Sequence, residues 1–135
     1  MNPLAETIIK QLKKKGFVLQ LYEATSTNSI YLKLDYGVCN SIRISDHPGK
    51  SHLKYRYNIG PHIQTYRKRN VYQNGVRMEQ YYYPEKDLDK MIKDIVNARK
   101  MKQYRYGDEQ YQKYMEKNKY DHKNERGFWR DARLI

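Results

Sequence analysis

Residues 29–47 read SIYLKLDYGVCNSIRISDH, and this stretch decides the fold. Ile30, Leu32 and Leu34 alternate with Tyr31, Lys33 and Asp35, the two-residue period of a strand with one buried face. Asp35-Tyr36-Gly37 has the chemistry of a hairpin turn. Beyond it, Val38, Ile42 and Ile44 share one face, opposite Cys39, Ser41 and Arg43. Two such strands pair antiparallel and leave an apolar sheet face that another layer must cover.

The flanking segments supply that layer. On the N-terminal side, Leu4, Ile8 and Leu12 recur at helical spacing with Ile9 beside them. Lys13, Lys14 and Lys15 suit the C-terminal end of a helix dipole, and Gly16 is a stop. Phe17 to Tyr22 forms a short apolar strand, and Ser26 to Ser29 a turn. On the C-terminal side, Asp46-His47-Pro48-Gly49-Lys50-Ser51 breaks the strand. Tyr55, Tyr57 and Ile59 then face one way, with Lys54, Arg56 and Asn58 the other. Asn74-Gly75 is a strong hairpin signal between Val71-Tyr72 and Val76 to Tyr83. Pro84 opens a second helix, expected from Glu85 to about Lys102, whose stripe of Leu88, Met91, Ile92, Ile95 and Val96 covers the sheet. After Gly107, Tyr111, Tyr114, Met115 and Asn118 keep helical spacing, and Phe128 and Trp129 are expected to dock back or to meet a partner.

The expectation is therefore an α+β fold: an N-terminal helix, an antiparallel sheet of four to six strands, a covering helix and a C-terminal helical extension. Residues 1–106 form the α+β domain and residues 107–135 the basic-aromatic extension or tail. The aliphatic content is modest for 135 residues, so Tyr55, Tyr57, Tyr111 and Tyr114 are expected to fill part of the core. A single cysteine, Cys39, permits no intrachain disulfide and suits a reducing compartment. No apolar run reaches the ~20 residues of a membrane span, and the N-terminus has no signal-peptide pattern. A cytoplasmic protein is expected.

Charge points to function. The chain carries a formal net charge of +12 and 15 tyrosines. Residues 48–83 hold seven Lys/Arg against one Asp/Glu, whereas residues 1–47 hold six against four. Rings and cations interleave at Tyr55-Arg56-Tyr57, Tyr66-Arg67-Lys68-Arg69 and Tyr104-Arg105-Tyr106. Rings stack on bases and guanidinium groups hold phosphates. The candidate contact residues are Lys54, Arg56, Tyr66, Arg67, Lys68, Arg69 and Arg77, with a second cluster of Arg99, Lys100, Lys102 and Arg105. The expected partner is nucleic acid or an acidic surface, with no membrane, no small-molecule substrate and no cofactor.

The motifs of several enzyme and binding classes are missing: a Gly-rich phosphate loop, a nucleophile elbow, a convincing helix-turn-helix, and the glycine–phenylalanine signature of four-stranded RNA-binding sheets. His47, His52 and His62 fall close together after Asp46. They permit a small His-dependent nuclease, but match no zinc spacing and lack the convergent carboxylates of two-metal chemistry. No catalytic or metal-binding residue is predicted.

Ser29 to Leu34, a turn, and then Ile42-Arg43-Ile44-Ser45-Asp46-His47 resemble a segment of small phage and mobile-element proteins. In these a strand hairpin ends in an Ile-Arg-Ile/Leu-Ser-Asp/Asn-His signature. Some proteins resembling it are anti-CRISPR inhibitors of type II effector nucleases. The resemblance spans about twenty residues. It implies a phage-encoded, non-enzymatic inhibitor of a CRISPR effector ribonucleoprotein in a bacterial host cell. At +12 such an inhibitor cannot imitate DNA and would hold guide RNA, bound DNA or an acidic patch. A general phage nucleic-acid-binding protein is the alternative.

Overall fold

The structure, a computed structural model, describes residues 1–49 and 55–135. The elements run α1 (Pro3–Lys14), β1 (Leu19–Glu23), β2 (Ile30–Leu34), β3 (Ser41–Ile44), β4 (Tyr57–Ile59), β5 (Arg67–Gln73), β6 (Val76–Tyr83), α2 (Leu88–Tyr106), α3 (Asp108–Asp121) and β7 (Arg133–Leu134), with short 3-10 turns between some of them. The expected α+β class is the one observed.

One sheet holds the described strands in the order β5-β6-β4-β3-β2-β1-β7. Its seven strands exceed the four to six expected, the addition being β7, which pairs with Gln20 and Leu21 of β1. The sheet is also not wholly antiparallel: β4 lies parallel to both β3 and β6. β4 thus runs in the same direction as β3. β5 then reverses along the outer edge, and β6 comes back between β5 and β4.

Alternation gives the sheet two faces. On one, Leu19, Leu21, Leu32, Leu34, Ile42, Ile44, Tyr57, Ile59 and Tyr83 are buried under α1 and α2. Helix α1 starts where Asn2 accepts a hydrogen bond from the Leu4 amide at 2.7 Å. It buries Ala5, Ile8 and Leu12. Helix α2 buries Met91, Ile92 and Ile95. Its first turn, expected at Glu85, is a 3-10 turn over Glu85–Asp87, and it continues past Lys102 to Tyr106. Tyr57 and Tyr83 are full members of this core, and burial raises both phenol pKa values. Tyr111 is buried as expected, whereas Tyr114 is 39% exposed.

The β2–β3 connection departs from a plain hairpin turn. Asp35, Tyr36 and Gly37 all take left-handed φ values of 49°, 54° and 86°. The reason lies in the Asp35 side chain, which is 2% exposed rather than on a polar face. Its Oδ1 accepts from the Val18 amide at 2.9 Å, and its Oδ2 accepts from the Tyr111 hydroxyl at 2.6 Å. Arg99 of α2 lies 3.6 Å away. One carboxylate thus joins the start of β1, the turn, α2 and α3. Cys39 is not opposite the apolar residues either: it is fully buried in the core. Burial pushes its thiol up to about 11, so it is an inert hydrophobe here.

The second sheet face is covered in part by the last residues. α3 is held by Tyr111 and by Asn118 Nδ2, which donates to the Tyr36 carbonyl at 2.9 Å. The chain then crosses the sheet. Gln20 Nε2 lies 3.3 Å from His122 Nδ1, and Lys33 pairs with Glu125. The Phe128 ring packs 4.7 Å from both Tyr22 and Tyr31, and Lys33 lies over Trp129. Phe128 and Trp129 therefore dock back. Tyr55 belongs to this side too, 4.8 Å from Tyr31. It precedes β4, so it escapes the alternation that would have placed it with Tyr57 and Ile59.

Candidate nucleic-acid interface

The β5–β6 hairpin carries four of the eleven predicted contact residues, Arg67, Lys68, Arg69 and Arg77. Asn74 and Gly75 take φ values of 53° and 77°, the left-handed pair that a two-residue turn between twisted strands requires. The register Arg67↔Tyr82, Lys68↔Tyr81, Arg69↔Gln80 and Tyr72↔Arg77 then fixes which side chains share a face. Lys68, Tyr72, Arg77, Glu79 and Tyr81 lie on the helix-covered side of the sheet. Arg67, Arg69, Val71, Met78 and Tyr82 lie on the other. The cations do not form one row, as a single solvent face would demand; they line both faces of a ribbon.

On the helix side, Lys68 Nζ lies 2.9 Å and Arg77 Nη2 3.7 Å from Glu79 Oε1, and the Tyr81 hydroxyl donates to Glu79 Oε2 at 2.6 Å. Hydrogen bonds from Tyr81 and Lys68 hold the Glu79 carboxyl below its usual range. Tyr81 stacks on Tyr57 with ring centroids 5.7 Å apart, and Arg56 lies 5.6 Å from the Tyr81 centroid. Arg56 in turn acts electrostatically on Lys102, as does Arg105. The charge of Arg56, in the first cluster found in sequence, is thus felt at Lys102 in the second. On the opposite side the Arg67 guanidinium sits 4.5 Å over the Tyr82 ring. Arg67 and Arg69 are exposed and have no ion-pair partner among the described residues. Tyr72 and Val76 are exposed at the hairpin tip.

The remaining predicted residues have other surroundings. Arg99 pairs with Asp35, donates to the Lys15 carbonyl and lies 3.6 Å from the Phe17 ring centroid, all internal contacts. Lys102 donates to the Val38 carbonyl at 2.5 Å, and burial lowers its pKa. Tyr66 packs on Tyr83 with Lys90 over its face. Lys100 is exposed beside the groove between α1 and α2. Lys54 lies outside the described residues, as does His52.

Two features escaped the sequence reading. Glu79, the one acid of residues 48–83, partners two of the four hairpin cations. The second is a polar cluster of Ser29, Arg43, Ser45, His47 and His62. Ser29 Oγ lies 2.9 Å from both Ser45 Oγ and His47 Nε2. Burial and the nearby Arg43 charge lower the His62 pKa. Clustering of Ser29 with the Arg43–His47 signature was visible only as a strand register, Ile30 opposite Ile44. No helix among the described residues is long and apolar enough to cross a membrane. Comparison with protein-family models, with curated proteins and with solved structures finds no match.

Proposed function

We propose that this chain binds duplex nucleic acid through its β5–β6 ribbon and the adjoining end of α2, without chemistry on the bound strands. The observation that carries this reading is the placement of cations on both faces of one protruding hairpin. Lys68 and Arg77 stand on one side, and Arg67 and Arg69 on the other. A flat single strand would need cations on one face. A ribbon between two phosphate walls needs them on both, and the major groove of B-form DNA admits a two-stranded ribbon. Arg56, beside the Tyr81 ring, adds a cation on the helix side, and Arg105 is exposed near the end of α2. Tyr72, 71% exposed at the tip, and Tyr104, 91% exposed on α2, add ring surface.

The likeness of Ile42 to His47 to a signature of phage proteins supports a narrower reading: a phage-encoded anti-CRISPR inhibitor whose duplex is one engaged by an effector nuclease. Fluorescence anisotropy with a labelled duplex and a labelled single strand tests the broad reading. Tighter duplex binding, lost on charge reversal at Arg67, Lys68 and Arg69, supports it; unchanged binding by that variant overturns it. A pull-down of the assembled effector, with and without nuclease treatment, tests the narrower one. Capture that disappears on treatment supports an inhibitor acting through nucleic acid, and no capture in either arm removes the effector from the account.

A further inference from the structure

The geometry points to a second site, independent of the hairpin, where Arg43 and His62, framed by Ser29, Ser45 and His47, bind a phosphate-class oxyanion. Arg43 is the centre of the argument. It lies on β3 between Tyr31 of β2 and Asn58 of β4 and is only 3% exposed. Its Nη2 donates to Ser45 Oγ and to the His47 carbonyl, each at 3.1 Å. Its Nε is buried without a hydrogen-bond partner among the described residues. A buried guanidinium is costly unless a negative charge faces it. Among the described residues no carboxylate pairs with Arg43; Asp46, its neighbour in sequence, is exposed. Residues 50–54 are Lys, Ser, His, Leu and Lys, so they bring no acid either.

His62 supplies the second observation. Its Nδ1 is also buried and without a well-formed hydrogen bond among the described residues, with only a backbone interaction from Ser45 acting on the ring. The ring is pressed close by the backbone: a Cβ on Gly60 would fall 2.9 Å from it and 1.8 Å from the Ser45 carbonyl oxygen. Two polar nitrogens short of a well-formed hydrogen bond and an unopposed charge therefore occur in one cluster. A tetrahedral oxyanion answers all three, since its several oxygens match the fork of donors on arginine. The Ser29 and Ser45 hydroxyls and the His47 ring are already engaged, Ser29 Oγ with Ser45 Oγ and His47 Nε2, Ser45 Oγ with the His47 carbonyl and His47 Nδ1 with the Pro48 carbonyl, so they frame the site while Arg43 and His62 supply its donors. His47 and His62 are only half-buried, so the cluster is reached from solvent past their rings.

Inorganic phosphate and a phosphate monoester at the end of an oligonucleotide share this chemistry. The test follows the Arg43 Nε–H resonance by NMR during titration with inorganic phosphate, against chloride at equal ionic strength. The same titration is run with 5′-phosphorylated and 5′-hydroxyl oligonucleotides. The site is supported if phosphate shifts the resonance saturably and chloride does not. Arg43→Lys, or His62→Gln should the first not fold, weakens phosphate binding by roughly tenfold, the loss expected for one charge-assisted hydrogen bond. A shift of the Arg43 resonance by the 5′-phosphorylated strand and not by the 5′-hydroxyl strand assigns the site to strand ends; equal behaviour of the two strands assigns it to the free ion. An Arg43 resonance that phosphate moves no more than chloride does, or phosphate affinity unchanged in both folded variants, overturns the site.

Discussion

Arg99 at the Asp35 crossing and Arg67 on the β5–β6 hairpin each lie over an aromatic ring, at 3.6 Å from the centroid of Phe17 and 4.5 Å from that of Tyr82. There the likeness stops. Arg99 is enclosed, with Asp35 at 3.6 Å and the Lys15 carbonyl as acceptor. Arg67 has solvent around it and no ion-pair partner among the described residues. Arg99 belongs to the machinery that joins four elements, and its charge is already answered. Arg67 leaves its charge for something outside the molecule. In a chain of net charge +12, the count of cations says that a polyanion is attractive, but only the partner of each cation says which of them would meet it.

That contrast can be broken first at its rigid pole. Asp35→Ala leaves Arg99 without its carboxylate and the Tyr111 hydroxyl and Val18 amide without their acceptor. A loss of about 3–5 kcal/mol in urea denaturation is expected, as when a buried pair loses one member. Duplex affinity per folded molecule should stay within twofold. The mirror experiment is Arg67→Glu with Arg69→Glu. It is expected to change stability by no more than about 0.5 kcal/mol, the usual range for exposed positions, yet to weaken duplex binding strongly. Equal effects of the two variants on both readouts would erase the distinction.

Smaller effects sharpen it. Glu79→Gln releases Lys68 and Arg77 from their acid and is expected to tighten duplex binding a few-fold at low salt; weaker binding would show that Glu79 orients these cations rather than competing for them. The pH dependence is smaller again. The His62 pKa is lowered from 6.5 by burial first and by Arg43 next, with His47 also lowering it and Ser45 and Asp46 opposing. The unfolded chain therefore takes up a proton before the folded one. Stability contributed by the neutral ring is complete above about 6.5 and is lost as pH falls below that value. His62→Gln should flatten the stability profile below that pH, measured by thermal unfolding across a pH series; an unaltered profile would place the relevant proton elsewhere.

Much of this was legible in the letters. The apolar stripes of α1 and α2, the alternation of β2 and the Asn74-Gly75 turn each rest on local periodicity or local backbone preference, and each appears where it was expected, whereas β3 keeps Ile42 and Ile44 buried but starts at Ser41 rather than Val38, with Cys39 in the core. What failed depends on contacts distant in sequence. Asp35 and Arg43 are polar residues at alternating positions and so resemble surface, yet Asp35 is buried by Val18, Arg99 and Tyr111, and Arg43 lies enclosed between Tyr31 of β2 and Asn58 of β4. The parallel joints of β4 leave no mark, because an alternating strand has the same pattern whichever way its neighbour runs. The site was half legible. Composition located the hairpin, but the division of its cations between two faces, and the partnering of two of them by Glu79, needed the register.

The most direct test of the two-faced ribbon is the salt dependence of duplex binding. Contacts by Arg67, Lys68, Arg69 and Arg77, with Arg56 and Arg105 beside them, predict a slope of log Kobs against log salt of about −4 to −5 for B-form DNA. Neutralising one face, as Arg67→Gln with Arg69→Gln, should make that slope less steep by about 2, and neutralising the other, as Lys68→Gln with Arg77→Gln, by a similar amount. A slope unchanged by either pair, or altered by only one of them, would contradict a ribbon gripped on both sides.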